Sequence, residues 1–228
     1  MTQARPDAQS APPQLVPQVA ARREPVQRRS RERVERILDA AADLVTDHGV
    51  AELTTKAIAA RTGVPVASIY QYYADKDEIV LALVARDTEE MDSRVAEAVG
   101  ALRTLSIRSI VEATMLAFVS VCRRRPSFVV IWGRGRTNAA VVKFCRTHNR
   151  RVANDLHSIA VSAGLLRPDV KPLISELAVE LGDRVIEMAF ADDLRGNEEI
   201  IRAGIELLIG SLEQYATPAG LAGVPNPS

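Results

Sequence analysis

Cysteine and aromatic residues are scarce in this 228-residue chain. It has only two cysteines, Cys122 and Cys145, and aromatic residues make up 4% of the sequence. Both cysteines lie in stretches of helical pattern, which argues against a disulfide framework and favours a reducing compartment. The shortage of aromatic residues, beside an abundance of Ala, Leu, Val, Arg and Glu, argues against a β-sandwich and favours helices.

The chain also lacks a net charge and long apolar runs. Its 29 basic and 29 acidic residues cancel, so only local clusters of charge can point to a nucleic-acid partner. No apolar run is long enough to span a bilayer. Pro and Gln interrupt the first twenty residues, where a signal peptide needs a continuous apolar core. These features predict a cytoplasmic protein with no membrane partner.

Motifs for catalysis and for metal binding are missing as well. The sequence has no Gly-x-Ser-x-Gly elbow, no Walker loop and no His-Glu-x-x-His pair. Cys145 and His148 have the spacing of two metal ligands on one helix face, but no third or fourth ligand accompanies them. We therefore interpret that pair as structural or incidental, and we predict no enzyme activity, no cofactor and no metal site.

Helical periodicity is what the chain does have. Apolar residues recur at three- and four-residue spacing from residue 30 to residue 216. Gly, Pro and capping residues divide this pattern, which predicts helices at 30–48, 54–63, 66–73, 76–99, 106–125, 126–133, 138–164, 170–192 and 198–216. Pro-rich sequence flanks the pattern, so we predict a disordered extension at residues 1–27 and a flexible tail at residues 217–228.

The segment from Thr54 to Lys76 predicts a helix-turn-helix. The Thr54-Thr55 pair suits the start of one short helix, Gly63 suits the turn, and a second short helix follows Pro65. On a helix of 3.6 residues per turn, Val66, Ile69 and Tyr73 share one face, while Ala67, Ser68, Gln71 and Tyr72 point away from it. The second set is small and polar and suits a DNA groove, because Ser and Gln can bond base edges and Tyr hydroxyls can donate to phosphates. An ordinary helical hairpin would have the same turn.

The stretch RERVERILDAAADLVTDHGVAELTTKAIAARTGVPVASIYQYYADKDEI resembles the DNA-binding domain of the TetR family of bacterial transcriptional regulators. The matching residues are Ile37, Ala40, Ala41, Gly49, Thr54, Thr55, Ile58, Ala59, Gly63, Val64, Ser68, Ile69, Tyr70, Tyr72, Tyr73 and Lys76. The resemblance implies base or groove contact by Val66, Ala67, Ser68 and Gln71, and contact with the DNA backbone by Thr55, Lys56, Tyr70, Tyr72 and Lys76. The chain departs from the family pattern at Pro65, Ala67 and Tyr73, where the family often has Ser or Thr, Gly and Phe.

The resemblance also implies the architecture of the whole chain. An all-α fold would place a three-helix DNA-binding domain with a helix-turn-helix at residues 28–75 and a larger helical regulatory and dimerisation domain at residues 76–216. The last two predicted helices carry a wider apolar stripe than one core face needs, which favours a homodimer on a palindromic operator in double-stranded DNA. Two central core helices of a monomer are the alternative. The function implied is a sequence-specific regulator, most often a repressor that a small molecule releases from DNA.

Candidate ligand-binding residues lie in the larger predicted domain. They are Met115, Phe118, Phe128, Trp132, Phe144 and Met188, with Asp183 and also Asn138, Arg184 and Glu187 as polar partners. Trp132 is the best single candidate, because the pockets of the family are often roofed by that region. The scarcity of clustered charge indicates an apolar or amphipathic ligand, and plain core packing is the alternative for each apolar residue.

Three further alternatives stay open. A helical enzyme or a small-molecule carrier could retain this N-terminal domain, and a regulator could respond to a protein partner or to its own abundance instead of a ligand. The basic cluster before the first helix is either a solubilising arm or an extension that touches DNA. Its members are Arg22, Arg23, Arg28, Arg29, Arg31 and Arg33.

Overall fold

The computed structural model of the protein describes residues 28–134 and 138–226. The first part of the chain forms α1 (Arg28–His48), a 3-10 turn (Val50–Glu52), α2 (Thr55–Thr62), α3 (Val66–Ile69) and α4 (Lys76–Gly100). After it come β1 (Thr104–Leu105), α5 (Ile107–Arg124), α6 (Pro126–Val129) and a π-helical turn (Val130–Arg134). The remaining elements are α7 (Ala139–Ser162), α8 (Pro172–Ala189), α9 (Glu198–Glu213), α10 (Pro218–Ala222) and β2 (Val224–Pro225). The predicted all-α fold class is confirmed, and the predicted extension at residues 1–27 lies outside the described residues.

One hydrophobic core runs through the described chain from α1 to α9. Ile37 and Val45 of α1 pack with Ile58 of α2 and Ile69 of α3 in the same cluster that contains Ile209 of α9. Helix α4 joins the two ends of this core, because its buried residues belong to the cluster and it packs against α1, α5 and α7. The first three helices are therefore held against the larger helical part by continuous apolar packing.

Capping residues fix where α4 begins. The Asp75 carboxylate accepts a hydrogen bond from the Glu78 backbone N–H at 2.9 Å, and the Glu78 carboxylate accepts one from the Ala74 N–H at 2.6 Å. This reciprocal arrangement satisfies two backbone donors at the start of the helix, which the Asp-x-x-Glu spacing predicts. Lys76 consequently occupies the first position of α4.

The C-terminal residues differ from their prediction as a flexible tail. Residues 217–226 form α10 and β2, and β2 pairs antiparallel with β1. The Asn226 side-chain amide donates to the Leu102 carbonyl at 2.9 Å and, at 3.4 Å, to the carbonyls of Val99 and Gly100. Val99 and Gly100 are the last residues of α4 and Leu102 follows them, so Asn226 bonds carbonyls at the end of the helix, where partners within the helix run out. The Pro/Gly-rich composition carries no signal of this contact.

Candidate nucleic-acid interface

The turn between α2 and α3 has the geometry of a helix-turn-helix. The Thr54 hydroxyl oxygen accepts a hydrogen bond from the Ala57 backbone N–H at 3.0 Å and so caps α2. Gly63 ends α2 with a φ of 68°, a left-handed conformation that costs glycine little. Pro65 follows with an extended ψ of 138° and stands directly before α3. The two capping predictions made from Thr54 and Gly63 are confirmed.

The predicted DNA-contacting residues are mostly accessible. Ala67, Tyr70 and Gln71 are exposed, and Val66, Ser68 and Thr55 are half-buried. The Tyr70 hydroxyl lies 3.3 Å from the Thr55 hydroxyl, which brings the turn after α3 beside the first turn of α2. We call the exposed side formed by Thr55, Ala67, Ser68, Tyr70 and Gln71 the reading surface. It offers hydroxyl and amide groups and one methyl group to a partner.

Tyr72 does not share this surface, contrary to the helical projection. Its side chain is only 5% exposed, and its hydroxyl lies 2.9 Å from the Ser30 hydroxyl of α1. The physical reason is that α3 ends at Ile69, so residues 70–72 form a turn to which the 3.6-residue period does not apply. Tyr73 packs inward as expected, and burial raises the pKa of its phenol.

Two exposed lysines lie near the two ends of the helix-turn-helix segment. Lys56 lies in the first turn of α2, and Lys76 is the first residue of α4. Within residues 28–134 and 138–226, neither lysine has an ion-pair partner. Arg61 is different, because its guanidinium donates to Asp43 at 3.2 Å and to Asp47 at 3.5 Å. The lysine charges are therefore available to an anionic partner, whereas that of Arg61 is balanced within the protein.

Sequence reasoning missed the residues of α1 that hold the helix-turn-helix in place. Arg36 donates to the Thr62 carbonyl oxygen at 2.6 Å, and this bond joins α1 to the last residue of α2. Ser30 joins α1 to Tyr72 in the same way. Asp43 and Asp47, the partners of Arg61 of α2, are four residues apart, and this spacing puts both on one face of α1.

Three predicted ligand-binding residues form an aromatic cluster, defined as Phe118, Phe128 and Trp132. The ring centroids of Phe118 and Phe128 are 6.4 Å apart, and those of Phe118 and Trp132 are 6.2 Å apart. Phe128 and Trp132 stack with centroids 6.3 Å apart and an interplanar angle of 8°. Phe118 is half-buried, whereas the other two rings are buried. The cluster joins α5, α6 and the π-helical turn.

The other ligand candidates lie elsewhere. Met115 is buried between α5 and α8, with its sulfur 3.3 Å from the point that a Cβ on Gly182 would occupy. Phe144 stacks on His148 within α7, at a centroid distance of 6.3 Å. Asp183 accepts a hydrogen bond from the Asn149 side chain at 2.6 Å.

Met188 does not fit a pocket wall. Its side chain is 49% exposed on the outer side of α8, because the helical period places Ile186 and Ala189 inward instead. The structure thus joins three of the seven ligand candidates in one cluster and leaves the others apart.

A surface cleft of 720 Å³ lies where the end of α1 meets the start of α4. Its lining includes Val45, His48, Lys76, Asp77, Val130 and Asn138. Asn138, a candidate polar partner, lines the cleft, whereas the apolar candidates and Asp183 do not. The cleft therefore belongs to the junction between the helix-turn-helix and the larger helical part, not to the aromatic cluster.

His148, which the sequence pairs with Cys145, contacts an acidic residue of α4 in the structure. The His148 Nε2 lies 2.9 Å from an Asp92 carboxylate oxygen, and Arg151 donates to the other oxygen at 2.6 Å. Burial would raise the pKa of Asp92, but the hydrogen bonds and charges of His148 and Arg151 hold that pKa below its usual value. In the part of the chain that the structure describes, no three His, Cys, Asp or Glu side chains are grouped to hold a metal ion. Nor is any helix there both long and apolar enough to cross a membrane.

Known proteins share both the helix-turn-helix and the overall fold. The family described as "Bacterial regulatory proteins, tetR family" matches residues 37–83. The HTH-type transcriptional regulator UidR of Escherichia coli strain K12 is 25% identical over 184 residues, which cover 78% of this chain and 91% of UidR. The HTH-type transcriptional repressor KstR of Rhodococcus jostii is 36% identical over 64 residues, or 28% of this chain and 30% of KstR. The crystal structure of a TetR-family transcriptional regulator from Streptomyces coelicolor has a TM-score of 0.64 and 29% identity, and covers 80% of this chain and 99% of its own.

Proposed function

Since the chain belongs to the tetR family of bacterial regulatory proteins, we propose that it is a homodimeric repressor of a palindromic operator that a small ligand releases from DNA. Its relatives are DNA-binding transcriptional regulators, and the chain is such a regulator and not an enzyme. Within this proposal, residues 28–75 bind DNA, and residues 76–216 bind the ligand and form the dimer.

The accessible reading surface is the observation that carries the proposal. Ala67 and Gln71 are exposed on the helix-turn-helix, where a base edge can meet a methyl group and an amide. Tyr70 and Thr55 place their hydroxyls beside each other, in a position to donate to phosphate oxygens. Lys56 and Lys76 add charges that no carboxylate pairs with in the described part of the chain. Tyr72 acts through the core in this proposal, because its ring is buried.

The outer faces of α8 and α9 support the homodimer. Leu173, Leu177 and Leu181 recur at four-residue spacing along α8, and each is more than half exposed. Leu207 of α9 is 75% exposed, with the small residues Ala203 and Gly210 exposed on the same helix. A stripe of this kind would remain in water in a monomer, whereas a second copy would bury it in a four-helix contact. Two copies also place two reading surfaces on one duplex, as half-sites require.

The aromatic cluster supports a ligand of apolar or amphipathic character. Its rings lie near the core with tilted or stacked geometry, and Phe118 leaves one side accessible. Aromatic side chains supply most of the apolar surface in such binding sites. A ligand that prefers a conformation with wrongly spaced reading surfaces would lower operator affinity by its differential binding energy, typically ~1–3 kcal/mol.

A mobility-shift experiment on the DNA upstream of the protein's own coding region tests this function. The expected result at low salt is a retarded complex that unlabelled specific DNA displaces and that random DNA does not. Fatty acids, acyl thioesters and sterols are then added as ligand classes, with sugars as the polar control, and at least one apolar class should release the DNA. If the protein binds no DNA, its proposed role as a DNA-binding repressor is contradicted. If it binds DNA and no ligand class changes that binding, the proposed release by a ligand is contradicted.

A further inference from the structure

A network of charged side chains lies where α1, α4 and the junction of α5 and α6 meet. We call it the junction network. Its acidic members are Glu35, Asp39, Asp87 and Glu90, and its basic members are Arg86, Arg124 and Arg125. It includes residues of α1, the helix that holds the helix-turn-helix, and of α4. It also reaches the residue that immediately precedes α6, the helix that carries Phe128 of the aromatic cluster.

Arg86 connects α4 to α1. Its Nη1 donates to an Asp39 carboxylate oxygen at 2.8 Å and to Glu35 at 3.4 Å. Its Nε donates to the Asp87 carboxylate at 3.4 Å. The Arg86 side chain is largely buried, so these contacts are screened by water less than surface ion pairs are. One guanidinium therefore contacts both an inner and an outer carboxylate.

Asp87 is the fully buried centre of the network. Its side chain has no exposed surface, and burial raises the pKa of its carboxyl group, although Arg86 and Arg125 oppose that effect. Among the described residues, Asp87 Oδ2 and Arg86 Nη2 are buried without a hydrogen-bond partner. Burying charges with incomplete pairing costs stability. The burial of Asp87 and Arg86 is therefore better explained if they fix the relative positions of the helices than if they stabilise the fold.

Arg125 connects the network to the aromatic cluster. Its Nε donates to Glu90 at 2.8 Å and lies 3.8 Å from the Asp87 carboxylate. Arg125 is also the residue that precedes the first turn of α6, which carries Phe128, and the π-helical turn with Trp132 follows directly. Because only two residues separate Arg125 from Phe128, a shift of α6 displaces the Arg125 backbone.

We propose that the chain of contacts from Arg125 through Asp87 and Arg86 to Asp39 couples the aromatic cluster to helix α1. This inference rests on the proposed function, since it supplies the route by which a ligand at the cluster would act on the helix-turn-helix. Helix α6 also packs directly on α1, which offers a competing route through apolar contact. Substituting the charged side chains separates the two routes, because only the route through the junction network needs them.

Coupling between two sites is reciprocal, which allows a test without the ligand. If the cluster influences α1, then DNA binding must alter the cluster. Trp132 is the only tryptophan of the chain and belongs to the cluster, so its fluorescence reports on that site alone. The measurement is acrylamide quenching of Trp132 in the full-length protein, with and without a duplex recovered by selection from a randomised pool. Anisotropy of the labelled duplex follows binding independently.

Arg125→Gln and Asp39→Asn remove the two ends of the contact chain. Both residues are partly exposed, so each variant is expected to fold, which circular dichroism checks. Arg123→Gln is the matched control. It makes the same charge change two residues away, but Arg123 contacts the Arg195 carbonyl and Glu198 instead of the network.

The expected result is that DNA changes the quenching constant of Trp132 in the wild type and in the Arg123→Gln control. Arg125→Gln and Asp39→Asn should lose at least half of that change while they still bind DNA. A full response in both variants would overturn the proposal in favour of direct packing between α6 and α1. If the wild type binds DNA but Trp132 shows no response, the coupling proposal is overturned and the proposed function stands. If the protein binds no DNA, both are overturned.

Discussion

At the scale of single residues, Lys76 stands where the proposed function places a phosphate contact. Lys76 is the first residue of α4, where the positive end of the helix dipole favours acidic side chains such as the neighbouring Asp77. A cation there is unfavourable in the free protein. A phosphate would gain from the lysine, the dipole and the N–H groups at the helix start together, so bound DNA would offset this local cost under the proposed function.

Lys76→Ala should therefore weaken binding to every DNA sequence by a similar factor. The slope of log affinity against log salt is proportional to the number of phosphates contacted. We expect it to become shallower by the share of about one phosphate contact per protomer. Fluorescence anisotropy at several salt concentrations measures this slope. Lys171→Ala is the control, because it removes the same charge at the start of α8 and should leave the slope unchanged. An unchanged slope in Lys76→Ala would exclude a phosphate contact by Lys76.

Gln71→Ala should change which sequences are preferred more than it changes affinity for random DNA. Gln71 carries the exposed amide of the reading surface, and an amide can donate to and accept from one base edge at the same time. Loss of a bidentate contact to a base costs about 1–3 kcal/mol of discrimination at that position. Selection from a randomised duplex pool should show relaxed preference at one position in each half-site. The same consensus in the variant would remove Gln71 as a base reader.

The residues of the helix-turn-helix differ in how well the sequence predicts their positions. Tyr73 and Thr54 were predictable, because each role follows from its immediate neighbours. Tyr72 was not, because its burial depends on where α3 ends and on Ser30, which is 42 residues away in sequence. A helix of four residues is too short for periodicity to fix the direction of the side chains that follow it.

At the scale of elements, the contact between α8 and α9 depends on one glycine. A Cβ on Gly204 would lie 2.2 Å and 2.7 Å from the two methyl carbons of Val185. Val is stiff at χ1, so the clash cannot be relieved by moving a flexible side-chain end. Gly204 is thus the residue that lets these two helices approach.

Gly204→Ala should destabilise the fold by about 1–3 kcal/mol through overpacking. Gly100→Ala at the end of α4 is the control, because a Cβ there also meets no atom within 4 Å and Gly100 lies outside the proposed dimer stripe. Alanine at that position should be neutral or gain up to ~1 kcal/mol of helix propensity. Chemical denaturation followed by circular dichroism measures both. Equal stability of the two variants would contradict the close packing of α8 on α9.

Elements that depend on distant contacts were the least predictable. The predicted helices outside α3 largely match, because capping residues and apolar spacing are local signals. The docked segment at residues 217–226 was missed because Asn226 bonds carbonyls more than 120 residues earlier. The junction network was missed for the same reason, since Arg86 meets Asp39 only after folding.

At the scale of the whole molecule, the exposed stripe on α8 and α9 is the feature that a second copy would cover. The sequence predicts an apolar stripe wider than one core face needs. In the structure Leu173, Leu177 and Leu181 of that stripe are exposed to solvent. The sequence could not say which side of α8 faces outward. The homodimer stays a prediction.

Leu207→Glu should dissociate that dimer. Burying a carboxylate against its symmetry mate costs several kcal/mol unless it is paired. Light scattering after size exclusion should show a monomer, and DNA affinity should fall by at least about tenfold, or ~1.4 kcal/mol. Leu221→Glu is the control, because Leu221 of α10 is also exposed, at 55% against 75% for Leu207, but lies outside the stripe. A Leu207→Glu variant that remains dimeric would place the interface elsewhere.

Selection of duplexes from a randomised pool by the purified wild-type protein tests the central claim most directly. The claim is that two reading surfaces, one from each copy, recognise a defined sequence. The account predicts enrichment of a palindrome whose half-sites are centred about one helical turn (~34 Å) or a multiple of it apart. A pool that shows no enriched sequence over the input, at salt low enough for binding, would contradict it.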